Sequence, residues 1–538
     1  MKKQVLFIIM MLMPLMASAS TNINGIYYNL NSTNKVAEVT SVPSGTAKYS
    51  GSVVIPKTVA YGGETYSVTS IGVSAFSGCS GLTSIIIPNS VITIGNSAFR
   101  NCSGLTSIII PNSVTSIENG TFYECSSLTS VIIPNSITSI DDYAFSGCSS
   151  LTSVTFGNNV TTIGGYAFRS CLNLTSVHIS DLSAWCNINF FISPIPYSNN
   201  FDYSSNPLYF ARHLYLNGEE VKDLVIPDGV TSISNCAFIN CTSLTSISIP
   251  NSVTSIGSNA FWNCSELTSV YIADIAAWCK ITFSNYASNP LCFAHNLFLN
   301  GEKVKDLVIP NSVTSIRNYT FRNCSGINSV TIPNSVASIG EHAFYYCSGL
   351  TSIIIGRSIE TIGSYAFAGC ERLEDVYCHA EKVPSAETNA FDNSYISYAT
   401  LHVPENSINQ YRRREPWSGF ETITGILEEE YNDGDRCEKP VITLLANGKI
   451  KVESATEGAT CVTNISASTA NPLTDGEISL STPLIVYTVT AYATAEGYDD
   501  SEVATATFRF EGNKGDVDGD GKIDISDLTQ LVNIILGQ

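Results

Sequence analysis

Leu82-Thr83-Ser84-Ile85-Ile86-Ile87-Pro88-Asn89-Ser90-Val91, then Ile94 and Ala98-Phe99-Arg100-Asn101-Cys102, is one copy of a phrase that the chain repeats. Phe76, Phe99, Phe122, Phe145 and Phe168 stand 23 residues apart, and so do Cys79, Cys102, Cys125, Cys148 and Cys171. A constant period of this size predicts a solenoid, in which each unit buries its apolar residues only against its neighbours. Leu82, Ile85 and Ile87 end on two-residue alternation, which suits a short strand. Pro88 has no amide hydrogen and closes that strand. Val91 and Ile94 return inward from a second extended segment, and Ala98, Phe99 and Cys102 fit one face of a short helical turn. Stacked coils would set their strands about 4.8 Å apart in a parallel sheet along one side. Such a shape offers a long ordered surface, so binding is the first functional expectation.

The period breaks twice, between Phe168 and Phe238 and between Phe261 and Phe321. The breaks resemble each other: Ile179 to Trp185-Cys186 matches Ile272 to Trp278-Cys279, and both reach Ser-Asn-Pro-Leu, an Asn-Gly turn (Asn217-Gly218, Asn300-Gly301) and Val-Lys-Asp-Leu-Val-Ile-Pro. Asn-Gly between apolar runs signals a hairpin. Variant coils over 179–227 and 272–310 are therefore expected, with the solenoid continuing through them. The Phe190-Phe191 stretch of the first variant is expected to project as a loop.

The Ile-Pro after the strand and the Ala-Phe-x-x-Cys turn resemble a leucine-rich repeat of the BspA-like bacterial type. The resemblance covers residues 25–426, and many agreeing copies make it specific. It implies a mostly β solenoid over 73–370, with an N-terminal cap at 20–72 and a C-terminal cap at 371–426. It further implies a secreted or surface-displayed protein that binds host extracellular-matrix proteins or other cells.

Met1-Lys2-Lys3, an apolar run from Val5 to Met16 and Ala17-Ser18-Ala19 read as a secretory signal, 1–19. No later run of about 20 apolar residues predicts a transmembrane helix. Net charge is −20 with 14% charged residues, which argues against nucleic acid, whose affinity needs clustered Lys and Arg. Ten of the 17 cysteines share one coil position, from Cys79 to Cys370. They read as an inward ladder of small buried hydrophobes, with stacked pairs or metal as the alternatives.

Residues 427–436 are acidic and turn-rich, a linker. From Cys437 to Glu511 strand patterns follow, including Val441 to Val452 around Asn447-Gly448, Leu484 to Tyr492 and Val503 to Phe510. They predict a small immunoglobulin-like β-sandwich. The stretch from Thr488 to Tyr498 resembles the chitobiase C-terminal-like modules of secreted bacterial proteins, which are spacers. Cys437 and Cys461 stand outside the ladder and are the expected disulfide.

Asp516, Asp518, Asp520, the Lys522 carbonyl, Asp524 and Asp527 fall at positions 1, 3, 5, 7, 9 and 12 of a calcium loop, with Gly521 at the sharp turn. Leu528, Leu531, Val532 and Ile535 then make one helical face. This calcium loop-helix, 512–538, resembles a dockerin repeat, of which one copy is found. The resemblance implies that Ile525 and Ser526 occupy the positions that contact a cohesin-like module.

The six histidines show no metal or triad spacing, and no Gly-x-Ser-x-Gly, His-Glu-x-x-His or phosphate loop occurs. A non-enzymatic role is expected. The position between the two inward residues of each strand holds Ile86, Ile109, Ile132, His178, Tyr271, Ile354 and Tyr377, with Val, Thr and Ser in other coils and His402 at the end. This row is expected to face solvent as the ligand face. Two readings of it stand side by side: an interaction surface, or simple β propensity. The reading adopted is an adhesion or interaction protein binding a host matrix or cell-surface protein, or a glycan, with Tyr271 and Tyr377 as anchors. The alternative is a glycan-binding or dockerin-attached component of an extracellular polysaccharide-degrading assembly.

Overall fold

The computed structural model describes residues 20–194, 201–426 and the strand segments 441–444, 450–453, 460–470, 484–494 and 504–511. The signal, the linker, Cys437 and the calcium loop with Ile525 and Ser526 lie outside the described residues.

The 23-residue phrase folds as coils, and strands pair with their counterparts one coil on. Ser153–Phe156 pairs in parallel with Ser130–Ile133 and with Ser176–Ile179, so Ile132, Thr155 and His178 are direct neighbours. A second parallel ladder runs through the short strands Ser116–Ile117, Ser139–Ile140, Thr162–Ile163 and Asn189–Phe190. Between the ladders lies one hydrophobic core. In a single coil Leu128, Val131, Ile133, Ile137, Ile140, Phe145 and Cys148 are all buried. The phenylalanines stack along it with ring centroids 5.1 to 5.5 Å apart. The ladder cysteines are buried free thiols. Most donate to the phenylalanine carbonyl of the previous coil, as Cys102 Sγ does to Phe76 at 3.1 Å and Cys125 Sγ to Phe99 at 3.1 Å.

The Ala-Phe-x-x-Cys turn is not helical, contrary to the expectation from spacing. Two residues per coil take left-handed backbone: Ser97 (φ 55) and Asn101 (φ 58), then Tyr143 (φ 57) and Gly147 (φ 79). The amides consequently alternate. Ala98, Arg100 and Cys102 donate within the coil, to Gly95, Ser97 and Phe99. Ser97, Phe99 and Asn101 donate across to Asn119, Thr121 and Tyr123 of the next coil. A left-handed residue with a side chain costs about 1–2 kcal/mol. Here the bond to the next coil offsets that cost, and the turn becomes a third inter-coil ladder.

True helices occur in the variant coils. Leu182–Cys186 is N-capped by Asp181 and Ile275–Lys280 by Asp274. Each variant is clamped to the coil after it. Trp185 Nε1 donates to the Ala237 carbonyl at 2.8 Å, and fully buried Asn206 donates to Cys236 at 2.8 Å while accepting from the Leu208 amide at 2.9 Å. Trp278 and buried Asn289 repeat this on Thr320 at 2.9 and 3.0 Å, with the Leu291 amide at 2.9 Å. The core therefore runs through both variants, as expected. The outer sheet does not. It forms the strand pair Gly51–Val54 with Leu82–Ile86 and then three longer blocks, two of them closed by antiparallel hairpins, Leu214–Leu216 with Glu219–Glu220 and Leu297–Leu299 with Glu302–Lys303.

At the N-terminus Ile26–Asn31, Val36–Val39 and Glu64–Ile71 form a capping sheet that pairs onto Thr93–Ile94. At the other end, buried Tyr411 and Trp417 cover the last coils below Thr422–Ile426. Beyond residue 440, Val441–Leu444 pairs antiparallel with Ile450–Glu453, and Thr460–Ala470, Leu484–Thr494 and Ala504–Glu511 form an antiparallel meander.

Candidate binding face

Alternation within each strand turns its middle residue outward, and the in-register pairing lines these residues up coil after coil. Ile109, Ile132 and Ile86 are 83%, 67% and 59% exposed, large values for isoleucine. Ile354 lies in the same row, between Thr331 and Tyr377.

The aromatic members of the row come in stacked pairs, and each pair sits toward the end of a sheet block. His178 stacks on Tyr215 with centroids 4.7 Å apart, Tyr271 on Phe298 at 4.8 Å and Tyr377 on His402 at 4.2 Å. The anchors Tyr271 and Tyr377 are thus half-buried by their partners rather than free-standing. Tyr215, Phe298 and Thr424 belong to the row but do not show in the phrase. The hairpin turns after Tyr215 and Phe298 mask their strands, although the Leu-x-Leu alternation before each Asn-Gly was a signal for them.

A polar row flanks the apolar one. Asp223 accepts from Ser246 and Asp306 from Ser329, each at 2.6 Å. His402 Nε2 lies 2.8 Å from Asp375 Oδ1, and its Nδ1 lies 3.1 Å from the Thr424 hydroxyl. Both ring nitrogens are engaged, which holds the imidazole flat on Tyr377. His213 Nδ1 approaches Glu220 at 2.6 Å, and this bond holds the Glu220 carboxyl below its ordinary range. The face can therefore offer flat aromatic area, aliphatic area and fixed carboxylates side by side.

The left-handed turn positions carry a second aromatic row that sequence reasoning missed. Tyr143 stacks on Tyr166 at 5.1 Å, with Arg169 over Tyr166, and His342 lies between Tyr319 and Tyr365 at 5.5 and 5.1 Å. Burial, then the nearby Arg322 guanidinium, lowers the His342 pKa.

Among the described residues no group of three or more His, Cys, Asp or Glu could hold a metal ion, and no helix is long and apolar enough to cross a membrane. Cys461 lies on the strand Thr460–Ala470.

A family described as the BspA type leucine rich repeat region matches six copies over residues 69–192, 210–289 and 293–412. A leucine-rich repeat protein from Bacteroides ovatus is similar, with 28% identity and a TM-score of 0.42, covering 76% of this chain and 100% of that one. A leucine rich cell surface protein from Faecalibacterium prausnitzii has 24% identity and a TM-score of 0.34, covering 76% and 95%. The pneumococcal vaccine antigen PcpA has 15% identity and a TM-score of 0.32, covering 76% and 99%. No curated protein matches the chain.

Proposed function

The chain belongs to the BspA-type leucine-rich repeat family, and from that membership we propose a secreted or surface-displayed interaction protein that binds through the outward row of its open sheet. The observation that carries this reading is the set of three stacked aromatic pairs on one solvent-facing row. Aromatic side chains dominate binding hot spots, and stacking pre-orders them, so less side-chain entropy is lost on binding. The family is generally non-catalytic, which accords with a binding role. Its expected partners are host extracellular-matrix or cell-surface proteins.

The test is binding of immobilised matrix proteins to the full chain, to a 20–426 fragment and to a 427–538 fragment. The 20–426 fragment should match the full chain. Tyr271→Ser with Tyr377→Ser should weaken binding by about 2 kcal/mol or more, the range of interface hot spots. Equal binding by the 427–538 fragment would place recognition on the wrong module.

A second reading, a scaffold-docked component of a polysaccharide-degrading assembly, is favoured by the sequence from Asp516 to Asp527. Its donor set of carboxylates and one carbonyl, with glycine at the turn, fits calcium, which takes six to eight oxygens. On this reading Ile525 and Ser526 meet a cohesin-like module, and Cys437 and Cys461 staple the β-module. Asp516→Ala with Asp520→Ala should abolish calcium binding and leave the far-UV circular dichroism of the solenoid unchanged. One tight calcium site persisting by calorimetry in that variant would overturn the ligand assignment.

A further inference from the structure

We propose that the second ladder carries a binding site for a neutral oligosaccharide, in a groove of about 310 Å³ that runs across four coils beside Phe191. This groove lies on the strands of the second ladder, apart from the open-face row.

Its floor is built by register. One row reads Ser116, Ser139, Thr162 and Asn189, three hydroxyls and an amide. Two residues further along each strand the chain reads Glu118, Asp141, Gly164 and Phe191. Backbone bonds carry the ladder on to that second row: Asp141 to Ile117 at 2.8 Å, Gly164 to Ile140 at 2.7 Å and Phe191 to Ile163 at 2.9 Å. Gly164 is required by packing, since a Cβ there would stand 2.5 Å from the Asp142 amide nitrogen. Gly164 thus lets Asp142 close against the ladder, and the Phe191 ring on the next strand, 57% exposed, lines the groove beside it.

Four features select the ligand. An exposed phenyl ring suits the apolar C–H face of a sugar ring. Hydroxyl, amide and carboxylate groups suit its hydroxyls. Glu118 accepts from Ser116 at 2.6 Å and Asp142 from the Gly165 amide at 2.6 Å, so both carboxylates are held in place. Each keeps acceptor capacity, because an ionised carboxylate offers about four lone-pair sites. Glu118, Asp141 and Asp142 together repel an anionic ligand, so a neutral glycan fits and a uronic-acid polymer does not.

The corresponding rows elsewhere lack this combination. They read Ser234, Gly257 and Ser284 in the second block and Arg317, Gly340, Gly363 and Glu387 in the third. The site therefore arises where the first variant coil places Phe191 at the register position that Ser284 holds in the second.

The experiment is calorimetric titration of the full chain with neutral gluco-, xylo-, manno- and galacto-hexasaccharides and with a hexauronide. At least one neutral sugar should bind and the hexauronide should not. Phe191→Ala, a change at an exposed side chain, should weaken binding about ten-fold or more, as loss of an aromatic hot spot does. Glu118→Gln should weaken it less, because the amide still accepts from Ser116. Tyr271→Ser with Tyr377→Ser should leave sugar binding unchanged, which separates this site from the open face. The proposal is overturned if no neutral sugar binds at millimolar concentration or if the hexauronide binds equally well. It is equally overturned if Phe191→Ala binds like the parent chain, or if binding is lost only in the tyrosine variant.

Discussion

Cys125, Cys171, Cys241, Cys324 and Cys370 occupy one position in five different coils, and burial pushes each thiol up to about 12. The neutral thiol is the form the fold keeps. Stability from this source is therefore complete below the unfolded thiol value near 9 and is lost as pH rises from there toward 12. Each pH unit in that window costs on the order of 1 kcal/mol per thiol. Several such thiols against a net stability of about 5–15 kcal/mol predict cooperative unfolding within about two units above pH 9. Circular dichroism against pH should show it, and the ladder thiols should resist a thiol reagent at pH 7 until denaturant is added. Replacing Cys125, Cys148 and Cys171 with Ala should flatten the pH slope while lowering stability at neutral pH through lost packing. If parent and variant show the same slope, the thiols do not set the alkaline limit. The inward ladder of buried thiols was legible in the sequence, because a cysteine fixed at one coil position can only face one way. The stacking partners Tyr215 and Phe298 were not, because their coils leave the 23-residue phase.

At the scale of the element, the variant coils bear the load of joining the sheet blocks. Asn289 is fully buried, donates to Thr320 at 3.0 Å and accepts from Leu291 at 2.9 Å. Asn289→Leu keeps the branched shape but leaves the buried Leu291 amide without its acceptor, while the Thr320 carbonyl keeps Trp278; this should cost about 1–3 kcal/mol. Because contacts in a solenoid are with nearest neighbours, the loss should stay local. Hydrogen exchange should quicken at Leu291 and around Phe321 and stay unchanged in the coils from Ser130 to Phe156. Uniform acceleration along the chain would contradict a modular junction. The matched Trp-Cys, Asn-Pro-Leu and Asn-Gly signals in the sequence had marked both variants as one design. The repeated turn was harder to see. Its Ala-Phe-x-x-Cys spacing mimics a helical face, and the left-handed positions carry Ser, Tyr and His as often as the Asn and Gly that would have betrayed them.

At the scale of the molecule, identical register from coil to coil makes the solenoid shortenable in whole units only. Asn328 stands at one coil boundary and Thr351 at the next, where Asn328 donates to Lys305 at 2.6 Å and Thr351 to Asn328 at 2.8 Å. Deleting residues 329–351 removes one 23-residue period and joins Asn328 to Ser352. Ser352 then takes the place of Ser329 beside Asp306, Ile353 that of Val330 and Cys370 that of Cys347. The shortened chain should fold, with circular dichroism per residue unchanged and the Tyr377–His402 pair still in place to bind. Deleting 329–340 alone removes about half a coil and sets strand against turn, so apolar residues face solvent and core positions fill with Ser and Asn. That chain should aggregate or lose its cooperative transition. If the half-coil deletion folded as well as the whole-coil one, nearest-neighbour register would not be what holds this solenoid together.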